Sequence, residues 1–207
     1  MKLTKVIIAG IMALAANGAF AWTNNVGFGL RAYSPLNTTV KSMPGTGDVE
    51  YKTANWGLNV MYVGYADSGF TVKDSFNLGG GKIENTDDEV NVHLSNYVGL
   101  GYGIVRTEKL YFGLLGTLGI DVNGNATADS TSDYTSTLAA FVLGGDATLI
   151  FTPVKTFSMY ASFMIGGGFG RFRLEEKNRK TDAKTTVDRD LTPYLVISPT
   201  VGFCWKF

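Results

Sequence analysis

His93 is the only histidine of this 207-residue chain, and the residue types of acid–base chemistry surround it in sequence. Ser95 follows two residues later, and Asp87, Asp88 and Glu89 precede it. An imidazole oriented by a carboxylate and within reach of a hydroxyl can activate that hydroxyl as a nucleophile. Spacing alone places His93 and Ser95 on one face of a strand. It does not place them in a mutual hydrogen bond. The plainer reading is a histidine inside a buried polar network, and it is the one expected. Five charged residues share its setting: Arg31, Lys73, Asp121, Asp146 and Lys206 all fall by parity on the strand faces that carry most of the glycine and small polar residues. Buried charges need partners, so ion pairs among them are expected.

Other chemistries are poorly supplied. Cysteine and histidine lack metal-ligand spacing, with one of each. The glycine runs at Gly79-Gly80-Gly81 and around Pro44-Gly45-Thr46-Gly47 are not followed by Lys-Ser or Lys-Thr or by a helical pattern, so a phosphate loop is not expected. No cofactor is expected. Charge is balanced, with 18 Lys plus Arg against 18 Asp plus Glu. There is no basic stripe, which argues against a nucleic-acid partner.

The elements that must hold these residues begin after a leader. Lys2 and Lys5 form a positive start, residues 6–16 a short apolar core, and Ala19-Phe20-Ala21 a small-x-small cleavage site. This pattern predicts a signal peptide over 1–21 and a mature domain over 22–207. Its removal takes the basic count from 18 to 16 against 18 acids, a net of −2.

From Trp22 onward the pattern is alternation with period two. Eight segments carry it: 25–34, 54–65, 69–78, 89–104, 109–121, 137–151, 157–174 and 191–207. In the fourth, Val92, Leu94, Val98, Leu100 and Tyr102 oppose Asn91, His93, Ser95, Tyr97, Gly99 and Gly101. These segments match or exceed the roughly 9–11 residues that a tilted strand needs to cross a bilayer. The links between them alternate. Those at 35–53, 79–88, 122–136 and 175–190 are long and polar, whereas those at 66–68, 105–108 and 152–156 are short. Long external loops and short periplasmic turns are the habit of outer-membrane barrels. Closure removes sheet edges, as lipid demands. The expected fold is all-β: an eight-stranded antiparallel up-and-down transmembrane β-barrel in the outer membrane. One residue resists the pattern. Asp74 falls on the apolar face of the third segment, and a β-bulge or register shift is expected there.

The chain ends Thr200-Val201-Gly202-Phe203-Cys204-Trp205-Lys206-Phe207. With the eight-strand pattern, this ending resembles the small outer-membrane barrels of the OmpA-membrane-domain, OmpX and OmpW type, over the whole mature chain. The resemblance implies that Thr200, Gly202, Trp205 and Phe207 form the signal read by the barrel-assembly machinery. It also implies outer-membrane lipids as surroundings, periplasmic chaperones as transient partners, and loops that contact a host surface or an extracellular ligand. The inner face mixes the polar residues above with Met61, Val63, Leu115, Val142, Met164 and Val196, which does not suit a wide water-filled pore. The expected function is therefore non-enzymatic, structural or surface-interacting. A narrow pore or carrier for small, apolar solutes is the second reading, and a lipid-modifying enzyme built on His93 the third.

Overall fold

Alternating β-branched, aromatic and glycine residues favour extended backbone with two unlike faces. The computed structural model describes residues 22–36, 38–40, 49–51, 53–83, 90–128, 130–190 and 193–207. Their strands are β1 (Trp22–Leu36), β2 (Thr38–Val40), β3 (Val49–Tyr51), β4 (Thr53–Ala66), β5 (Phe70–Ile83), β6 (Val90–Arg106), β7 (Leu110–Ala128), β8 (Ser132–Val154), β9 (Phe157–Asn178), β10 (Lys184–Asp190) and β11 (Tyr194–Lys206). The expected leader, residues 1–21, lies outside the described residues. So do Asp87, Asp88, Glu89 and the loop at 44–47.

Eight strands close a ring in the order β1-β4-β5-β6-β7-β8-β9-β11, and β11 returns to β1. Every pairing is antiparallel, and the closing seam runs from Asn25↔Lys206 to Leu36↔Leu195. The fold is thus an eight-stranded antiparallel transmembrane β-barrel. Its two faces differ as the alternation requires. Phe28, Leu30, Trp56, Leu58, Leu143 and Phe203 point outward, more than half exposed. Met61, Val63, Val142 and Val196 point inward and are buried among Asn59, Thr71, Ser95 and Asp121. An apolar exterior of this extent is far larger than a soluble protein leaves to water, and hydrocarbon is the solvent that suits it. No helix among the described residues is long and apolar enough to cross a membrane; the strands cross instead.

The end carrying Trp22 and Phe207 also carries the tight turns at 67–69, 107–109 and 155–156. The first turn closes with Gly69 N donating to Ala66 O at 2.9 Å, and Gly69 supplies the left-handed φ of 98° that a side chain resists. Aromatics ring this end: Trp22 meets Phe70 edge-on at 6.1 Å, and Phe157 stacks on Phe203 at 5.4 Å. At the other end Phe141 and Phe169 lie 6.0 Å apart. These belts mark the two membrane interfaces.

Four expectations need correction. The link expected at 122–136 is mostly strand: β7 and β8 stay paired from Val122↔Ala139 out to Ala128↔Asp133. The link at 175–190 likewise folds into the end of β9 and all of β10, paired from Lys184↔Lys177 to Asp190↔Arg171. The third such link, at 79–88, is shortened because β5 runs on to Ile83. Beyond the membrane both faces meet water, so the hydrophobic alternation fades while backbone pairing continues. The result is an arm of β7, β8, β9 and β10 standing above the barrel. Asp74, finally, lies in no bulge. β5 keeps unbroken register with both neighbours, and the irregularities fall at Gly103/Val105 and Phe151/Val154. Asp74 faces outward, half-buried, and accepts a hydrogen bond from Asn96 Nδ2 at 2.8 Å. A neighbouring side chain, rather than a register shift, accommodates the carboxylate.

Candidate functional site

The inner faces of eight strands converge on a lumen too narrow for anything but side chains or a small ligand. Period-two register brings His93 of β6 against Asp121 of β7, with Nε2 3.1 Å from Oδ1. The other oxygen of Asp121 accepts from Tyr33 at 2.6 Å and from Tyr97 at 2.5 Å. The Tyr33 ring stacks on the His93 imidazole with centroids 4.5 Å apart. A buried carboxylate that accepts three such bonds has most of its lone pairs satisfied.

Arg31 sits below this cluster, held by neutral groups. Its Nη1 donates to Ser95 Oγ at 2.9 Å and its Nε to Ser198 Oγ. Its guanidinium lies 4.5 Å from the Tyr97 ring and 5.5 Å from that of Tyr33. Lys73 of β5 reaches across to β8 and β9, donating to Asp146 at 2.8 Å, Thr148 at 2.9 Å and Ser162 at 2.6 Å. Ser95 also accepts from Asn77 Nδ2 at 3.1 Å, and Asn77 accepts from Asn59 Nδ2 at 2.7 Å. Tyr160 donates to Asn59 Oδ1 at 2.5 Å. These bonds link β1, β4, β5, β6, β9 and β11 across the interior.

Of the six charged or titratable residues expected inside, five are buried: Arg31, Lys73, His93, Asp121 and Asp146. One ion pair joins two of the five charged residues expected to pair, Lys73 with Asp146; His93, outside that set, meets Asp121. Arg31 is held by hydroxyls and rings instead of an ion pair. Lys206 stands half-exposed at the mouth beside Glu108 and Phe207, with no ion pair among the described residues. The tyrosines carry a role that sequence reading passed over. Tyr33, Tyr97 and Tyr160 occupy inward positions in glycine-rich strands. Large phenols on an otherwise small, polar face were the available signal.

His93 has an orienting carboxylate, but the Ser95 hydroxyl accepts from Arg31 and Asn77. No hydrogen bond joins it to His93 among the described residues. No cluster of three or more His, Cys, Asp or Glu side chains suited to a metal occurs among them either. Above and below the charged layer, apolar clusters fill the bore. Leu138, Val142, Met164, Tyr194 and Val196 pack on one side; Met61, Val63, Ile150 and Cys204 pack on the other.

Of the four residues in the terminal pattern, Thr200 is buried inward, Trp205 and Phe207 face outward, and Gly202 lies under Tyr160 on the seam.

This ring of strands, apolar outside and interlocked inside, defines an outer-membrane β-barrel protein. Solved structures share the fold. Outer membrane protein OprG of Pseudomonas aeruginosa aligns with a TM-score of 0.56 at 15% identity, covering 92% of this chain and 98% of that one. A major outer membrane protein from Thermus thermophilus aligns with a TM-score of 0.55 at 9% identity, covering 88% and 99%. No family model and no curated protein matches the sequence.

Proposed function

We propose that this chain is a non-enzymatic outer-membrane protein with a structural or surface-contact role, exerted through the arm of β7–β10. The observation that carries the reading is the filled lumen. Charged, phenolic and apolar side chains interlock from Tyr33 and Asp121 down to Met61 and Ile150. A bore filled in this way offers solutes no open path, and its buried His93 offers lipid no exposed base. The arm, by contrast, is laced with exposed charge. Arg171 pairs with Asp190, Arg173 with Asp188, Lys177 with Asp182 and Arg179 with Asp133. It presents strand-stiffened polar surface beyond the membrane, suited to contact with an extracellular ligand or host surface. Assembly partners follow from the terminal pattern: Thr200, Gly202, Trp205 and Phe207 serve as the signal to the barrel-assembly machinery, after escort by periplasmic chaperones.

The test is reconstitution of the purified protein in planar bilayers and in vesicles of phospholipid and lipopolysaccharide. No stepwise conductance and no modified lipid by mass spectrometry are expected. Reproducible conductance steps, or lipid products that vanish in His93→Ala, overturn the reading.

A further inference from the structure

The arm carries a bare sheet edge. β10 stands at one end of the strand order and pairs with β9 alone, from Lys184↔Lys177 to Asp190↔Arg171. The seam between β1 and β11 reaches only Leu36↔Leu195, short of β10, so no strand flanks the outer side of β10 among the described residues. Asn178 N donates to Ala183 O at 2.9 Å, and hydrogen-bonded pairs recur at every second residue of an unbroken antiparallel register. Thr185, Val187 and Arg189 therefore turn their backbone groups toward β9. Those of Lys184, Thr186, Asp188 and Asp190 turn to the open side, where an edge of this kind templates a further strand.

The charges along this edge restrict which strand fits it. Lys184 lies across from Lys177, whose ammonium already pairs with Asp182, and Lys184 has no ion pair among the described residues. Asp190 lies at the opposite end of β10, on the same strand face, exposed beside Arg171. Read in reverse, β10 complements itself. An antiparallel pairing centred on Val187 sets Lys184 against Asp190 of the second copy and Thr186 against Asp188 of the second copy, each twice by symmetry. The same register meets outward-turned backbone groups with outward-turned ones. Parallel pairing sets Lys184 beside Lys184 and Asp190 beside Asp190, which is destabilising.

We infer that β10 is a homotypic docking edge, pairing antiparallel with β10 of a second copy of this chain in a facing membrane. The inference rests on the surface-contact reading of the arm and names its partner. That the membranes face each other follows from symmetry. Antiparallel edges join into one sheet across a twofold axis perpendicular to that sheet. The arm continues the barrel wall, so this axis is radial and lies in the membrane plane. Rotation about it inverts the barrel and places the second copy in an opposed membrane. The seven residues of β10 form a smaller contact than a stable solution dimer needs. Many copies across two apposed membranes supply the avidity.

The experiment reconstitutes the full mature chain into phospholipid vesicles carrying one of two dyes, and reads adhesion by two-colour cross-correlation. Wild-type vesicles should adhere to one another and not to protein-free vesicles. Thr186→Pro removes an outward-turned N–H, leaves the pairing with β9 intact, and should lower adhesion about tenfold or more. Lys184→Asp vesicles and Asp190→Lys vesicles should each fail to adhere to their own kind. Mixing the two should restore adhesion, because opposite charges then meet at both ends of the paired strands. Absence of wild-type adhesion overturns the inference, as does adhesion that survives Thr186→Pro, equal adhesion to protein-free vesicles, or a charge-swapped mixture that stays apart. If a charge-swapped variant does not fold, Thr186→Pro against wild type decides. Such a failure leaves the surface-contact reading standing on the conductance and lipid measurements above, which do not depend on self-association.

Discussion

Tyr160 of β9 lies across Gly202 of β11, so close that a Cβ on Gly202 would sit 2.6 Å from its ring. The same ring and hydroxyl cover Gly27 and Gly29 of β1, and Gly29 is the register partner of Gly202. One side chain therefore bridges the seam where the last strand meets the first. A Cβ on Gly202 would also press on the Phe28 carbonyl oxygen, and backbone cannot yield as a flexible side chain can. Gly202→Ala should lower the fraction of protein that reaches the folded, heat-modifiable form on gels. Tyr160→Phe, which keeps the ring and loses only the bond to Asn59, should close normally. Equal closure of Gly202→Ala and wild type would remove the packing argument.

Phe207 tests the proposed assembly signal separately from that packing. Its side chain is exposed at the end of the closing strand, and its backbone N donates to Asn24 O at 2.9 Å. Deletion of Phe207 should reduce outer-membrane levels in cells severalfold, while refolding of the purified variant in detergent changes little. Normal levels in the membrane would count against Phe207 as a signal residue.

The pair of Lys73 and Asp146 sets the stability of the plug. Lys73→Met leaves a buried carboxylate without its cation, a change that costs about 3–5 kcal/mol where it has been tested in protein interiors. The double variant Lys73→Met with Asp146→Leu removes both charges and should recover most of that loss. Urea midpoints of the two single variants and the double give the coupling. Additive losses would mean that the two groups do not share their burial cost.

The arm should respond to acid. Asp182 occupies its tip in left-handed backbone, φ 55°, with Lys177 Nζ 2.8 Å from its carboxylate. Hydrogen bonding and charge from Lys177 hold the Asp182 carboxyl below its ordinary value. A depressed carboxyl contributes above its unfolded value and loses that contribution as pH falls through the folded one. Amide exchange at the tip should therefore be unaffected by this pair between about pH 5 and 8, and the pair's protection should fall only below about pH 4. Asp182→Asn, which tolerates the same backbone, should remove the acid step. An acid step that persists in Asp182→Asn would assign it to another group.

Much of this molecule is legible in its residue order. Period-two alternation tells which side chains meet lipid, since a strand offers two faces and hydrocarbon accepts only one kind of surface. Strand count and the inward placement of Arg31, Lys73, His93, Asp121 and Asp146 follow from the same parity. Chain order is silent where the governing contact lies across the bore. Nothing local tells that Lys73 meets Asp146 while Arg31 meets two tyrosine rings, because shear between strands decides which inward residues share a level. Nor can alternation mark the arm, where water on both faces permits any polar residue and backbone pairing with exposed ion pairs holds β7 to β10 together. Parity fixed the faces of this barrel; partners within the lumen, and the shape beyond the membrane, were decided by closure.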